Sequence, residues 1–265
     1  MLSYQHIYHA GNLADVHKHA LLAALLSYLT RKDKPLSYIE THAGRGLYAL
    51  DAVEAKKTGE AEAGIGRAEA FFAPDHPYLR VLGEVRARYG AAAYPGSPLV
   101  AALSLRPGDR MHLADLHPQE FAALSATMAP YGADCRQEDG MHFALARTPP
   151  DPRRGLMLID PSYEVKADYA ALPPLIGKVH AKWNVGVIVL WYPILASDAH
   201  RQMLATLDAM ALPKALRHEV AFPPARDGHG MTGSGVFVVN APFGTEEETG
   251  KITSVFARLR PDGRP

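Results

Sequence analysis

The apolar positions of this chain change repeatedly between helical spacing and short continuous runs. Residues 13–29 carry apolar side chains every three or four positions, which predicts an amphipathic helix. Short apolar runs bounded by glycine, proline or acidic residues predict strands. The predicted strands cover residues 36–40, 110–114, 133–136, 155–160, 185–191, 215–221 and 235–240. Further helices are predicted at 118–128, 140–146, 169–182 and 197–210.

The order of these elements predicts an α/β fold. Strands that alternate with helices form a mainly parallel sheet with helices on both faces. The last two strands are joined by the loop 223–234, which has no helical pattern, so we expect one of them to run antiparallel. The acidic run 246–248 is expected to begin a final helix, because negative charge is favourable at a helix N-terminus.

One interval is too long for an ordinary crossover connection. Between the turn that ends at Gly46 and the strand that begins at Arg110, the chain has far more residues than one helix needs. Residues of about 50–93 are rich in alanine, glutamate and arginine, which predicts an inserted helical subdomain. We expect this insertion to be part of one domain that spans residues 1–265.

Composition excludes several classes of protein. Lys and Arg total 28 and Asp and Glu total 28, which argues against a protein that coats nucleic acid through bulk charge. An enzyme that grips one short stretch is still compatible with this balance. No apolar run reaches the length of about 18 residues that a membrane span needs, and the first residues lack a signal-peptide pattern. The single cysteine, Cys135, favours a reducing compartment, so we expect a cytoplasmic protein, and a monomer.

The strongest chemical signal is the segment 156–163, Leu-Met-Leu-Ile-Asp-Pro-Ser-Tyr. An apolar strand delivers the Asp160 carboxylate to the carboxyl end of the sheet, where α/β folds bind ligands. That carboxylate and a carbonyl fixed by Pro161, each accepting one hydrogen, would favour the pyramidal form of an adenine amino group, which can attack a methyl donor. The Tyr163 ring offers a surface for a base taken out of its stack. The alternative is that Asp160 only caps a helix while Tyr163 packs nearby.

Three further segments place glycines or carboxylates after the other strands. Residues 40–46, Glu-Thr-His-Ala-Gly-Arg-Gly, form a glycine turn after the first strand, although the third glycine of a dinucleotide fingerprint is absent. Asp115 follows the second strand, where nucleotide sites hold ribose hydroxyls, or it begins the next helix. Asp139 follows the third strand and either accepts from an adenine amino group or caps the next helix. Each signal alone is weak, but all fall on one rim of the sheet with Asp160.

Short sequence blocks along nearly the whole chain form a recognisable set. They are 1–4 (Met-Leu-Ser-Tyr), 9–12 (His-Ala-Gly-Asn), 15–19 (Asp-Val-His-Lys-His), 41–44 (Thr-His-Ala-Gly), 94–98 (Tyr-Pro-Gly-Ser-Pro), 116–118 (Leu-His-Pro), 160–163 (Asp-Pro-Ser-Tyr), 190–193 (Leu-Trp-Tyr-Pro) and 230–232 (Gly-Met-Thr). With these blocks the chain resembles the bacterial RlmJ family of 23S ribosomal RNA adenine-N6 methyltransferases. The opening blocks and the Tyr-Pro-Gly-Ser-Pro block are specific, whereas the Asp-Pro-Ser-Tyr block is shared with many amino-methyltransferases.

The resemblance implies a fold, a cofactor and a substrate. It implies a Rossmann-like class I methyltransferase fold with a small helical insertion, S-adenosylmethionine as methyl donor, and no metal. The acceptor would be the exocyclic amine of one adenine in 23S rRNA, in protein-free RNA or an early assembly intermediate. By position, the cofactor-binding residues would be His19, His42, Gly44, Ser97, Asp115, Asp139, Gly140 and Asp160. The catalytic residues would be Asp160, Pro161 and Tyr163, and the residues beside the substrate RNA would be Tyr4 and Lys18.

Two positions depart from the family pattern. Ser162 stands where the family usually has a second proline, and Asp115 stands where it often has glutamate. Pro161 keeps its carbonyl, so the grip on the amine survives, although the turn is less rigid. Asp115 keeps the charge of glutamate with a shorter reach.

The balanced charge also limits how the substrate is held. With a net charge of zero, binding is expected to rest on a few placed cations. The candidates are Lys18, Arg153 and Arg154. For the two arginines, the alternative is a solvated loop before a strand.

Four other functions are open from the residues alone. A metal site is one of them, with His6, His9, His17 and His19 as ligands. A nicotinamide oxidoreductase uses a similar sheet, but the third glycine is missing. A non-catalytic RNA-binding module needs a basic, aromatic-rich surface and leaves Asp160 without a role. A DNA adenine-N6 methyltransferase is the strongest alternative, because the chemistry at Asp160 is the same for both nucleic acids.

Overall fold

A seven-stranded sheet forms the centre of the molecule. A computed structural model of the chain describes residues 5–223 and 230–259. The strands are β1 (Ser37–Glu40), β2 (Leu47–Ala49), β3 (Ala93–Pro95), β4 (Arg110–Ala114), β5 (Asp134–Arg136), β6 (Gly155–Ile159), β7 (Val187–Leu195), β8 (Leu216–Ala221) and β9 (Met231–Val239). The helices are α1 (Leu13–Leu29), α2 (Val53–Thr58), α3 (Glu60–Ala63), α4 (Ile65–Ala68), α5 (Pro77–Tyr89), α6 (Ser97–Ser104), α7 (Pro118–Met128), α8 (Gly140–Ala146), α9 (Asp168–Lys182), α10 (His200–Ala209) and α11 (Thr245–Arg258).

The order of the strands creates a ligand-binding crevice. The central sheet runs β5-β4-β1-β6-β7-β9-β8, and β9 alone runs opposite to the other six strands, as the loop before it predicts. Helices α1, α5, α6 and α11 cover one face, and α8, α9 and α10 cover the other. The predicted Rossmann-like fold is therefore confirmed. The order reverses between β1 and β6, and sheets of this kind bind ligands at that point, beyond the carboxyl ends of the strands.

The sequence of strand β6 explains why Asp160 lies at the crevice. Its five residues are all buried, because it lies in the middle of the sheet. Leu156 and Leu158 enter the core that contains α1, whereas Met157 and Ile159 enter the core that contains α9. The strand thus ends with Asp160 at the edge of the crevice.

Most predicted elements agree with the structure. The helices at 118–128 and 140–146 and the strand at 110–114 have the predicted bounds. Strands β7 and β9 extend further than predicted, because they pair with each other along almost their whole length. The two-stranded antiparallel sheet of β2 and β3 is not predicted, since three-residue strands are too short to show alternation. None of the helices in the described part of the chain has the length and apolar character needed to cross a membrane.

The segment predicted as a helical insertion, about 50–93, contains α2, α3, α4 and α5. The antiparallel pairing of β2 with β3 brings the two ends of the insertion together. The insertion also holds the segment that leads into α1. The Ile65 amide donates to the Gly11 carbonyl at 2.8 Å, and the Thr58 hydroxyl donates to the Tyr8 carbonyl at 2.7 Å. The description of residues 1–265 as one domain stays a prediction.

The predicted helix at residues 13–29 is confirmed as α1, but it is buried on nearly all sides, so the prediction that it is amphipathic is wrong. It begins after Asn12, whose side chain accepts from the Asp15 amide and caps the helix. Helices α5, α6 and α11 and strand β9 surround it. His17, Lys18 and His19 are therefore buried, with exposed fractions of 0%, 6% and 1%. Cover from distant parts of the chain decides this burial, and a local pattern cannot show it.

The buried His19 makes the stability of the fold depend on pH. Burial lowers the pKa of His19 to about 3; Asp15 opposes this shift and Lys18 adds to it. Below about pH 6.5 the unfolded chain therefore binds a proton that folded His19 does not, so stability falls as the pH falls. The His19→Gln variant should lose stability less steeply, by up to about 1.4 kcal/mol per pH unit. Urea denaturation between pH 7 and pH 4 measures this slope.

The matched control for this experiment is His142→Gln. The His142 side chain is 74% exposed, so this variant should keep the wild-type slope. If His19→Gln and the wild type lost stability at the same rate, His19 would be taking up its proton in the folded state, contrary to the prediction.

Candidate active site

A cavity of about 380 Å³ lies at the crevice between the strands. Most of the predicted site residues line it, and they come from five separate segments of the chain. They are Lys18, His19, His42, Gly44, Ser97, Asp115, Asp160, Pro161 and Tyr163. Asp139 and Gly140 are not among the lining residues. Tyr4 lies outside the described residues.

Asp160 follows β6 directly and is paired with Lys18 from α1. The Lys18 ammonium donates to Asp160 Oδ2 at 2.5 Å and lies 3.1 Å from Asp15 Oδ1. Burial disfavours the charged ammonium, but the two carboxylates outweigh this effect and raise the pKa of Lys18. Lys18 therefore keeps its positive charge. The sequence predicts Lys18 beside the substrate, and in the structure it lies next to Asp160. The next helix begins at Asp168, so Asp160 is not a helix cap.

Asp15 is a buried carboxylate that supports the same ion pair. It accepts from His6 Nε2 at 2.8 Å and from the Gly11 amide at 3.0 Å. Burial acts to raise the pKa of Asp15, but His6, Lys18 and His19 together hold it well below its usual value. Asp15 is not among the predicted site residues. Its spacing of three residues from Lys18 on one helix was the available signal.

Tyr163 does not offer a free ring face to the cavity. Its ring packs on Tyr169 with centroids 4.6 Å apart, and its hydroxyl donates to the Trp191 carbonyl at 2.7 Å. The residue is 8% exposed and has a φ of +57°, a strained conformation for tyrosine. The expected stacking surface is thus mostly covered, because the side chain fixes the turn after Asp160. Trp191 also lines the cavity, and the Lys18 ammonium lies 5.5 Å from its ring centroid.

Asp115 joins the glycine turn to the start of α7. One carboxylate oxygen accepts from the Gly44 amide at 2.8 Å, and the other accepts from the His117 amide at 2.8 Å. Burial raises the pKa of the Asp115 carboxyl, although the two amide donors act in the opposite direction. Each oxygen keeps a second lone pair for a ligand. The two interpretations of Asp115, a ribose acceptor and a support for the next helix, are therefore compatible.

Glu40 is a buried acid that the site predictions do not include. It ends β1, immediately before the glycine turn, and is fully buried. The Tyr38 hydroxyl donates to one of its oxygens at 2.8 Å, and the Ser97 hydroxyl donates to the other. Burial raises the pKa of Glu40 to about 8, against the effect of these two donors. A carboxylate at the end of a buried strand is the same signal that identifies Asp160.

The groups after β1 and β5 meet at one side of the cavity. A Cβ at Gly140 would lie 2.3 Å from the Thr41 carbonyl and 2.8 Å from the His42 ring, so only glycine allows this approach. Burial lowers the pKa of His42, which lines the cavity. The Asp139 side chain accepts from the His142 amide at 2.8 Å and caps α8. Contacts of Asp139 and Gly140 with a cofactor stay predictions.

The histidines near the start of the chain have separate partners. His6 pairs with Asp15, His9 with Glu60, His17 with Ser234 and His218, and His19 with Tyr94. In residues 5–223 and 230–259, no group of three or more potential ligands is gathered for a metal.

The two predicted substrate arginines are not at the cavity, and their contact with the RNA stays a prediction. Arg153 and Arg154 precede β6, whereas Asp160 follows it, so they lie at the opposite edge of the sheet. Arg154 donates to the Leu29 and Lys34 carbonyls. The polarity of the strand explains this placement, because its two ends face opposite edges of the sheet.

Comparisons with known proteins agree with this geometry. A family model described as "Ribosomal RNA large subunit methyltransferase D, RlmJ" matches residues 33–261. The Escherichia coli (strain K12) protein named "Ribosomal RNA large subunit methyltransferase J" is 38% identical over 268 residues, which cover 99% of this chain and 96% of that protein. The Haemophilus influenzae protein of the same name is 36% identical over 273 residues, with the same coverage.

A solved structure shows the same fold. The crystal structure of a Legionella pneumophila protein aligns with a TM-score of 0.84 and 33% identity, and the alignment covers 95% of this chain and 94% of that one. The predicted class, ribosomal RNA methyltransferases that use S-adenosylmethionine, is confirmed. The chain belongs to the RlmJ family of large-subunit ribosomal RNA methyltransferases.

Proposed function

We propose that this chain transfers the methyl group of S-adenosylmethionine to the N6 amine of one adenine in 23S rRNA. The observation that carries this function is the position of Asp160. Its carboxylate ends the central strand β6 and borders the same cavity as the glycine turn and Asp115. An acceptor for an amine and a site for a nucleoside are thus next to each other.

The cavity suits S-adenosylmethionine. Its volume of about 380 Å³ lies in the range of small-molecule sites. The Asp115 carboxylate has free lone pairs for ribose hydroxyls, and Gly44 and Gly96 bring bare backbone to the wall. Ser97, His42 and His19 also line the cavity and would complete the contacts. When bound, this cofactor supplies an electrophilic methyl group.

Asp160 and Pro161 hold the amine. The carboxylate of Asp160 accepts one N6 hydrogen, and a backbone carbonyl fixed by Pro161 accepts the other, so the nitrogen lone pair is directed at the methyl donor. Lys18 is the counter-ion of Asp160, and its raised pKa prevents it from acting as a base. Asp160 is then the acceptor in the described site for the proton that the amine loses. Trp191 gives the cavity an aromatic wall beside this group, and Tyr163 fixes the turn that carries it.

The substrate is RNA in this proposal. Both curated relatives are named for ribosomal RNA, and nothing in the comparisons supports the alternative of a DNA substrate. The adenine has to leave its stack to reach Asp160, so unpaired adenines are favoured. The RNA is protein-free or in an early assembly intermediate, and the enzyme acts as a cytoplasmic monomer.

The first prediction tests Asp160. Asp160→Asn should reduce methyl transfer at least about 100-fold, the lower range for a lost general base, while binding of S-adenosylmethionine largely persists. Lys18 keeps Asp15 as a partner at 3.1 Å, so the variant should still fold. Single-turnover transfer of a labelled methyl group measures the rate, and calorimetry measures binding.

The matched control is Asp198→Asn. Asp198 is exposed and has a φ of +56°, which asparagine tolerates. Asp198→Asn makes the same chemical change outside the cavity and should leave the rate of methyl transfer unchanged. Full turnover in Asp160→Asn would remove this carboxylate from the mechanism.

The second prediction tests Asp115. Asp115→Ala should weaken binding of S-adenosylmethionine by one to two orders of magnitude, about 1.5–3 kcal/mol for charge-assisted hydrogen bonds. The exposed Asp208→Ala is the control. Asp115→Glu, which restores the charge, should recover most of the affinity, whereas a purely structural role would make glutamate as harmful as alanine. Equal affinity of Asp115→Ala and wild type in calorimetry would refute the assignment.

The third prediction tests the substrate. Labelled S-adenosylmethionine is offered with protein-free 23S rRNA, assembled large subunits, a short hairpin around the methylated adenine, and duplex DNA of the same sequence. We expect transfer to the free RNA and the hairpin, with N6-methyladenosine as the product. Because few phosphates are held, the slope of log affinity against log salt should be about −2 to −4. Preferred methylation of paired DNA, or a much steeper slope, would contradict the proposed substrate.

A further inference from the structure

A series of hydrogen bonds leads from the wall of the cavity to the surface of α11. The Trp191 indole N–H donates to the Ser234 hydroxyl at 2.9 Å, and Ser234 Oγ lies 2.8 Å from His17 Nδ1. His17 Nε2 lies 2.9 Å from His218 Nδ1, and His218 Nε2 lies 2.8 Å from the Thr253 hydroxyl. We call these five residues the histidine chain.

The two ends of the histidine chain fix the direction of every bond. Thr253 gives its only hydroxyl hydrogen to a backbone carbonyl of α11 at 3.0 Å, so it accepts from His218 Nε2. Neutral His218 then accepts at Nδ1 from His17 Nε2, which leaves His17 Nδ1 as an acceptor. Ser234 therefore donates to His17 and accepts from Trp191. When both imidazoles are neutral, every N–H and O–H hydrogen in the histidine chain donates to one acceptor.

The surroundings favour these neutral imidazoles. Burial lowers the pKa of His17 well below its usual value, and the adjacent His218 adds to this effect. Burial also lowers the pKa of His218, against the pull of Glu219 on the same strand. From α11 the Phe256 ring packs against His17, with ring centroids 5.9 Å apart. The charged groups that face the histidine chain in the described structure are Glu219 at its outer end and Lys18 at its inner end.

Trp191 connects the histidine chain to the chemistry. Its ring lies 5.5 Å from the Lys18 ammonium, and its carbonyl accepts from the Tyr163 hydroxyl. Lys18 is the counter-ion of Asp160, and Tyr163 fixes the turn that carries Asp160. A displaced Trp191 would therefore disturb both supports of the carboxylate.

One added proton reverses the donors and acceptors in the hydrogen bonds from His218 to Ser234. An imidazolium donates from both ring nitrogens, so protonated His218 can no longer accept from His17. His17 must then accept at Nε2 and donate from Nδ1. Ser234 now faces two donors, His17 and Trp191, and loses the acceptor for its own hydrogen. The Ser234 oxygen has two lone pairs and can accept from both, but its unsatisfied buried hydrogen is costly, so the hydroxyl is expected to rotate. The bond from the charged histidine pair is stronger than the bond from the neutral indole, so the Trp191 contact is the one that weakens.

We propose that His17 is a positioning residue, which acts through Ser234 to hold the Trp191 indole beside Lys18, and that protonation of the His17–His218 pair releases Trp191 and slows methyl transfer. The catalytic part of this inference rests on the proposed function. The positioning of Trp191 can be measured without it.

The test uses the full chain labelled with 15N-tryptophan. The chain has two tryptophans, so two indole N–H signals are expected. Trp183 donates to the Arg153 carbonyl at the opposite edge of the sheet and serves as the internal reference. Because burial lowers the pKa of both histidines, the Trp191 signal should keep its position near pH 6.5, the ordinary pKa of histidine, and move only at lower pH, while the Trp183 signal stays in place.

Three substitutions of His17 separate its two nitrogens. His17→Leu keeps the bulk and removes both bonds, so the Trp191 signal should shift at every pH. His17→Asn places a carbonyl oxygen near the Nδ1 position, so it should restore the wild-type signal and abolish its pH dependence. His17→Gln places its amide near the Nε2 position and should not restore the signal. A purely structural role would not distinguish asparagine from glutamine.

Methyl transfer is measured on the same variants. Turnover of His17→Leu should fall about fivefold at pH 8, within the range for one lost neutral hydrogen bond, with KM for RNA little changed. His17→Asn should recover turnover and lose the decline that is expected of the wild type at the pH where its Trp191 signal moves. His180→Gln, on α9, is the control and should match the wild type.

The outcomes separate the two proposals. A Trp191 signal that is the same in the wild type and in His17→Leu would overturn the positioning role. A wild-type Trp191 signal that does not change between pH 8 and the pH at which the chain unfolds would overturn the release by protonation. The expected signals without methylation of any rRNA by the wild type would overturn the proposed function and leave the positioning of Trp191 intact.

Discussion

The ion pair between the Lys18 ammonium and the Asp160 carboxylate is the interaction on which the site depends. It joins two residues 142 positions apart, one on the first helix and one at the end of the central strand. Two charges with little access to water are costly unless each has a partner. Asp15 and the indole of Trp191 complete the surroundings of the cation. The burial of α1 and the position of the Asp160 carboxylate are thus parts of one arrangement.

Several side chains of the site serve the fold and the chemistry together. Asp115 binds the amide of the glycine turn and the amide at the start of α7 with separate oxygens, and still has lone pairs for a ligand. The Tyr163 hydroxyl donates to the backbone of β7 and its ring packs on Tyr169, so Tyr163 orients the turn rather than the base. Glu40 gives its two oxygens to Tyr38 and Ser97 behind the cavity wall. A rigid wall of this kind lets a poor nucleophile be held in one orientation.

The parts of the site that the sequence predicts are those set by strand periodicity. A carboxylate that follows a buried apolar strand has to appear at the rim of the sheet, which is why Asp160 and Asp115 are found where expected. The parts that escape prediction depend on distant neighbours. The burial of Lys18 follows from helices α5, α6 and α11, and the cover on Tyr163 comes from Tyr169 on a later helix. Arg153 and Arg154 lie away from the cavity for a different reason, since they precede β6 and therefore face the edge of the sheet opposite to Asp160.

The position of α1 in the chain has a consequence for the order of folding. This helix emerges early from the ribosome, but the strand and helix that enclose it come near the end of the chain, and His17 meets Ser234 across 217 positions. Contacts between residues so far apart in the chain form slowly. Until they form, the side chains of α1 that the folded protein buries are exposed to water. The newly made protein therefore has to protect its first helix until its last strand is complete, so the active site is among the last parts of the molecule to assemble.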